Sequence, residues 1–352
     1  MEHISIQRKF QQWIIEIVMN QGKVEKLLDA ILLEENKHNH LETHLIIEEF
    51  TDLCSSYTEN NSIYLKKSLL ENVDYSSNIK KKNNIYYLIK NIYHEIMHIR
   101  QSQEAKQGIL SDNSLFYITT NFIHDYLDPE EYVRNYAYQE IELLANRFAW
   151  KKVHTLLEKE KFFQDTISNI EEEEKHLEWV ELYLKRFTRN KQVISVWKTF
   201  PHNLNQVIQN HSYLLNSYPI LNYFYYMDGT PKSLLLILEE IPLADFYQTA
   251  RLWISRRFFL EIITLNIYEL KYHSFQVKND YLELFQKIVV DYVTAVSRFK
   301  EISMEHDQVM IEEYEKTSML IISKIEELEK NNLLNHEVLF DYKEKLYDIL
   351  GE

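Results

Sequence analysis

The chain has 352 residues, and 45% of them are hydrophobic, which is enough to bury the core of a globular protein. Its 39 basic and 54 acidic residues give a formal net charge of −15, and the basic residues are scattered, so no nucleic-acid partner is expected. Only 4 Gly and 5 Pro occur, and no glycine-rich dinucleotide-binding or P-loop sequence is present, which excludes the usual nucleotide-binding motifs and favours long helices.

The sequence predicts a soluble, cytoplasmic protein. Its first residues lack the basic region, apolar run and small-residue cleavage site of a secretory signal, although export without a signal remains an alternative. No apolar stretch is long enough to span a membrane. The single cysteine cannot form an internal disulfide, which suits a reducing compartment.

In chain order, residues 1–58 are predicted to form two or three amphipathic helices. Apolar residues recur there at helical spacing, as in Val24, Leu27, Leu28, Ile31 and Leu32. The segment Ile63 to Leu65 is short, apolar and bounded by polar residues, which is typical of a strand. It is predicted to lead directly into the helix that carries the motif described below.

Further along, Asp128-Pro129-Glu130-Glu131 has the residues of a helix start, and this helix is predicted to run past Phe148. From about residue 165 the chain again reads as helices. Breaks between these helices are predicted near Pro201, residues 217–219, residues 229–231 and Pro242.

These elements predict a mainly α fold with a small α+β core. The predicted segments are an N-terminal helical segment at 1–58, a core with a short sheet at 59–162, and a C-terminal helical domain at 163–352.

The most informative short sequence is His94-Glu95-Ile96-Met97-His98. Histidines four residues apart lie one above the other on a helix, so His94 and His98 can both bind one metal ion. Glu95 then lies beside the metal, where it can take a proton from a metal-bound water, as in the HExxH motif of zinc peptidases. The motif also occurs by chance, so its surroundings must decide.

The first test is the helix face that the histidines occupy, at about 100° per residue. An aliphatic stripe is formed by Ile85, Leu88, Ile89, Ile92, Ile96 and Ile99. His94 and His98 fall on the opposite side, with Tyr87, Asn91 and Gln101 near them. This excludes a pair of core histidines inside the stripe and leaves two readings, a metal site or exposed surface histidines.

The second test is a third ligand, because a catalytic zinc has three protein ligands and one open position. On the downstream helix Glu142 shares a face with Ala145, Asn146 and Ala149, and such small residues would let this helix approach the motif helix. Asn146 could then hydrogen-bond a ligand histidine. Glu142 is therefore favoured, and Glu140 remains the alternative.

A second pair of histidines with the same four-residue spacing occurs among His38, His40 and His44, on a predicted helix end. Glu42 lies between the members of that pair rather than beside the first, and no third ligand suggests itself. Surface histidines are the better interpretation.

With these residues in place, the chain resembles the zincin metallopeptidases of the gluzincin type over roughly residues 60–160. The string Glu142-x-x-Ala-Asn-x-Phe-Ala is similar to the third-ligand helix of the ImmA/IrrE-like group, where the glutamate three before the alanine binds zinc. The resemblance implies a zincin-like core, Zn²⁺ bound by His94, His98 and Glu142, and metallopeptidase activity.

The resulting hypothesis is a zinc metallopeptidase that hydrolyses a peptide bond in a protein or peptide substrate, with Glu95 as the base. A donor for the oxyanion is expected, and its candidates are Tyr136, Tyr138, His124 and Arg147. The alternative is a non-catalytic helical interaction or regulatory protein that retains the zinc site. The intact Glu95 argues against this alternative, because a structural zinc needs no base.

Overall fold

The computed structural model describes residues 12–13, 17, 24–39, 41–50, 56–74, 78–122, 139–157, 193–241, 243–302, 308–335 and 337–351. Within these residues the protein is mainly α-helical with one small sheet, which confirms the predicted fold class. None of the described helices is long and apolar enough to cross a membrane.

The described strands follow one another between residues 44 and 66, and the other described elements are helices. The strands are β1 His44–Glu48, β2 Ser56–Glu59 and β3 Ser62–Lys66. The helices are α1 Val24–Asn39, α2 Lys67–Asp74, α3 Asn78–Gln107, α4 Asp112–Phe122, α5 Glu140–Leu157, α6 Val193–Asn210, α7 Tyr213–Ser217, α8 Leu234–Glu240, α9 Leu243–Thr264, α10 Ile267–Lys271, α11 Phe275–Ile302, α12 Gln308–Lys330 and α13 Phe340–Leu350, with a 3-10 turn at Pro219–Tyr223.

The chain divides into two compact units. The first contains Met1–Gln103 and Tyr126–Glu181, and the second contains Glu104–Asp125 and Leu182–Glu352. The sheet lies in the first unit and spans the boundary that the sequence suggested at residue 58, because β1 precedes that residue and β3 follows it.

The sheet of the first unit has the strand order β1-β3-β2, with β1 parallel and β2 antiparallel to β3. Along β3 the side chains alternate between partly exposed and buried, so that Ile63 and Leu65 are fully buried in the unit's core. Tyr57 and Tyr64 are paired across the two antiparallel strands, and their rings stack with centroids 4.6 Å apart. The predicted strand at residues 63–65 is thus confirmed as the central strand.

The hairpin between β2 and β3 turns at Asn60 and Asn61. Both residues have positive φ, 47° and 62°, and Glu59 pairs with Ser62, so the loop has two residues. Two consecutive residues with positive φ are typical of a type I′ turn, and asparagine tolerates this conformation better than most residues. The turn fixes the register of β2 against β3.

The prediction that residues 1–58 are helical is wrong beyond helix α1, where strands β1 and β2 are found. Helix α1 is confirmed, and its predicted apolar face is buried. β1 and β2 were missed because each strand has only 4 or 5 residues and depends on pairing with β3. Helix α2 also lies between β3 and the motif helix, so the strand does not lead directly into that helix.

The core of the first unit forms around helix α3. The predicted aliphatic stripe of α3 is buried throughout, and it packs in one cluster with the apolar face of α1 and with the inward side chains of β3. On α5, Ala149 and Val153 join the same cluster. The buried Glu35 of α1 forms an ion pair with Lys152 of α5 at 2.5 Å, which links these two helices.

The second unit has a separate core around helix α9, which contacts α4, α6, α11 and α12. Two of its buried aromatic residues bond their polar atoms within this core: Trp253 Nε1 donates to Thr119 Oγ1 at 3.3 Å, and the Tyr281 hydroxyl donates to the Ile262 carbonyl at 2.9 Å. The abundance of Tyr and Phe in this half of the chain therefore reflects core packing.

Most of the predicted breaks in this half are confirmed, but the one at Pro201 is wrong. Pro201 lies inside α6, which continues to Asn210. Phe200, Leu204 and Ile208 follow one another at four-residue spacing and are buried to 1% exposure or less. Their packing offsets the loss of about 3 kcal/mol that a proline causes inside a helix.

Candidate metal centre

His94 and His98 project from one side of α3, one turn apart, as their spacing predicts. Their side chains are 14% and 13% exposed, whereas the aliphatic stripe of the same helix is buried in the core. The histidines are therefore neither core residues nor freely exposed surface residues. The alternative of two surface histidines does not fit this degree of burial.

Glu142 of α5 meets both histidines. Its Oε2 lies 3.1 Å from His94 Nε2, its Oε1 lies 3.3 Å from His98 Nε2, and the two Nε2 atoms are 3.0 Å apart. Glu142 itself is fully buried. A glutamate from a distant part of the chain is thus brought to the pair of histidines that the sequence singled out.

The neighbours of Glu142 on its face of α5 are small and buried. Ala145 and Ala149, which lie one and two turns further along this helix, are completely buried. The small residues that the sequence placed on the face of Glu142 are thus buried. Asn146 is partly buried, and at about 40° from Glu142 it lies on the same face.

The three side chains interact strongly through their charges. Burial by itself disfavours the charged form of His98, but the carboxylate of Glu142 outweighs this effect and, with smaller contributions from Glu95 and Gln101, raises the pKa of His98 to about 9. Burial likewise opposes the charge of Glu142, yet the two histidines hold the pKa of its carboxyl well below the usual range. The site therefore favours an ionised carboxylate on Glu142 beside a positively charged His98.

A divalent cation bound between these side chains could supply the positive charge that balances the carboxylate of Glu142. One ring nitrogen of each histidine and one carboxylate oxygen of Glu142 all lie within 4.8 Å of one another, and this buried group could hold a metal ion. Ligands at 2.0–2.1 Å from a tetrahedral centre lie about 3.3 Å from each other. The observed separations of 3.0, 3.1 and 3.3 Å are close to this value.

Glu95 lies next to His94 in sequence and is 5% exposed. The hydroxyl of Ser56, at the start of β2, donates a hydrogen bond of 2.8 Å to Glu95 Oε1. The sheet thus holds the carboxylate of Glu95 in one orientation beside the histidines. This contact was not predicted, because Ser56 is 39 residues away from Glu95 and lies in a strand that was missed.

Gln101 is a second residue whose role was not predicted, although the sequence places it on the histidine face. Its Oε1 lies 2.9 Å from His98 Nδ1, and its Nε2 donates a hydrogen bond of 3.0 Å to the carbonyl of Ile141, the residue before Glu142. Gln101 is fully buried. The amide therefore connects a ligand histidine to the helix that carries Glu142.

The remaining candidates are the alternative third ligand and the possible oxyanion donors, and of these the structure describes the side chain of Arg147 only. The side chain of Glu140 lies outside the described part of the structure, as do residues Tyr136, Tyr138 and His124. Arg147 is half-buried on α5, and five residues after Glu142 it leaves the helix about 140° away from that side chain. This angle disfavours Arg147 as the donor for an oxyanion.

The histidines near residue 40 do not share a helix. Helix α1 ends at Asn39, and His44 begins strand β1, so the predicted helix end does not extend over this pair. His38 forms an ion pair with Glu34 at 2.6 Å and is 42% exposed. His40 lies outside the described residues.

Comparison of the chain with models of known protein families, with curated proteins and with solved structures gives no match. The functional assignment therefore depends on the chemistry of the residues themselves.

Proposed function

We propose that this protein is a zinc-dependent metallopeptidase of the gluzincin type, with His94, His98 and Glu142 as zinc ligands and Glu95 as the general base. The observation that carries the proposal is the convergence of these two imidazoles and one buried carboxylate, at 3.0–3.3 Å, beside a second, well-oriented carboxylate. Two histidines and one glutamate are a known ligand set of catalytic zinc sites in peptidases.

Zinc fits this set better than a hard cation does. Magnesium and calcium prefer six or more oxygen ligands, whereas the present site offers two imidazole nitrogens and a carboxylate. Three protein ligands also leave one position open, which distinguishes a catalytic from a structural zinc site. A purely structural site would have no use for Glu95 beside the first histidine.

When bound, zinc would lower the pKa of a water molecule and polarise the carbonyl group of the substrate. Glu95 would accept a proton from the attacking water and later deliver it to the leaving amine. Ser56 would keep the Glu95 carboxylate oriented for both transfers through its hydrogen bond to Oε1. Glu142 and the histidines would hold the ion within the first unit of the chain.

The proposal predicts peptide cleavage that depends on the metal. The full chain, loaded with one equivalent of Zn²⁺, is incubated with a peptide mixture prepared from a whole-cell protein digest, and new peptide ends are identified by mass spectrometry. Cleavage is expected to stop when a chelator removes the zinc and to return when zinc is restored. Cleavage that persists in the metal-free chain, or no cleavage by the loaded chain, would contradict the proposal.

With a substrate from this assay, Ser56→Ala is expected to lower kcat about tenfold with little change in KM. A hydrogen bond to a charged group contributes about 1.5–3 kcal/mol, and water can replace part of it. Ser62→Ala, in the neighbouring strand β3, is the matched control and should retain the wild-type kcat. Equal kcat values for both variants would show that the orientation of Glu95 does not depend on Ser56.

A further inference from the structure

The hydrogen bonds of Gln101 determine which nitrogen carries the hydrogen when His98 is in its neutral, metal-binding form. The side-chain amide lies between two fixed groups, the Nδ1 atom of His98 and the carbonyl oxygen of Ile141. The carbonyl oxygen can only accept a hydrogen bond. The NH₂ end of the amide must therefore face Ile141, and the amide oxygen must face His98.

The orientation of the amide settles the tautomer of the histidine. An amide oxygen can only accept, so Nδ1 of His98 must be the atom that carries the hydrogen. In neutral His98 the lone pair then lies on Nε2, the atom that points to Glu142 and His94. A flipped amide would place two oxygens against each other at about 3.0 Å in a fully buried position.

We propose that Gln101 is a positioning residue of the metal centre, which fixes the metal-binding tautomer of His98 and ties that histidine to the helix of Glu142. The role rests on the proposed zinc site. Its second hydrogen bond ends on Ile141, the neighbour of Glu142, so one buried amide aligns two ligands that are 44 residues apart in the chain.

A purely structural role for Gln101 predicts something different. In that case the amide would only hold α3 against α5, and any effect of its removal would follow the loss of stability. In the proposed role the acceptor for Nδ1–H matters for zinc affinity in its own right. Two variants separate these roles, because one retains that acceptor and the other does not.

Gln101→Met removes both hydrogen bonds and keeps a similar volume. Gln101→Glu retains an acceptor for the His98 Nδ1–H in either protonation state of the new carboxyl. We expect the zinc affinity of the full chain to fall tenfold to a hundredfold in Gln101→Met, the usual range for residues that orient metal ligands, and to stay close to wild type in Gln101→Glu. Gln103→Met, half-buried on the same helix, is the control and should bind zinc as the wild type does.

Affinity is measured by competition with a chromophoric chelator, and thermal stability is measured on the metal-free chains. Equal zinc affinities of wild type and Gln101→Met would overturn the role of Gln101. Parallel losses of affinity and stability in both Gln101 variants would also overturn it, in favour of a structural role. A wild-type chain that binds no zinc would overturn the proposed metal centre itself and this role with it.

A spectroscopic measurement tests the tautomer without any variant of Gln101. In the zinc-loaded wild type, nitrogen-15 spectra of labelled histidines should show His98 with its hydrogen on Nδ1, with His98→Ala identifying its signals. A hydrogen on Nε2 of His98, with the metal on Nδ1, would overturn the proposal even if the Gln101 variants fail to fold.

Discussion

His94→Ala and His98→Ala are each expected to remove most of the zinc from the purified protein, which should otherwise carry about one zinc per chain. Each substitution removes one of three ligands and leaves a site that two side chains cannot hold firmly. Glu142→Ala should remove as much zinc as either histidine variant does, because it also removes the negative charge that balances the ion within a buried site. Elemental analysis of the purified variants measures the effect directly.

Glu140→Ala is the matched control for the third ligand. Two residues along an ideal helix correspond to about 200°, so only one of these two positions is expected to face the motif helix. The control should keep its zinc. Loss of zinc in Glu140→Ala alone would transfer the ligand role to that residue, and a wild type that neither contains nor takes up zinc would exclude the entire assignment.

Zinc should also stabilise the wild type and not these ligand variants. A ligand that binds only the folded chain adds about 2.7 kcal/mol to the free energy of unfolding when its free concentration is one hundred times Kd. Thermal melting with and without added zinc therefore gives a second measure of the same site. The ligand variants should melt at the same temperature in both conditions.

Local patterns were sufficient to predict the helices that carry the site. The aliphatic stripe of α3 fixes which side of that helix faces the core, and this alone directs His94 and His98 away from it. In the same way, Ala145 and Ala149 mark the buried face of α5 that carries Glu142. Both inferences depend only on residues within two or three turns of one helix.

The parts that were missed depend on residues far apart in the chain. β1 pairs with β3, although β2 lies between these two strands in the sequence. The segment of β1 is also too short for its hydrophobic pattern to distinguish a strand from a helix. The Asn60-Asn61 pair was a usable signal for the hairpin, since two such residues between alternating apolar positions favour a type I′ turn. The contact of Ser56 with Glu95 follows only once that hairpin is in place.

Glu95→Gln is expected to leave the fold and the zinc content intact and to abolish peptide-bond cleavage. Glutamine keeps the shape of glutamate and can still accept the hydrogen bond from Ser56, but it cannot take a proton from the attacking water. Removal of a general base lowers the rate on the order of a hundredfold to ten-thousandfold. Glu71→Gln, an exposed change of the same kind on α2, is the control and should cleave at the wild-type rate.

The same pair of chains tests the function without a known substrate. Protein termini are compared by mass spectrometry in cells that express the wild type or Glu95→Gln at equal levels. Termini present only with the wild type would identify both the substrate and the cleaved bond, because the two chains differ in a single proton acceptor and retain the same zinc ligands. If no such termini appear and both chains have the same effect on the cells, Glu95 has no catalytic task, and the metal centre serves a helical interaction protein instead.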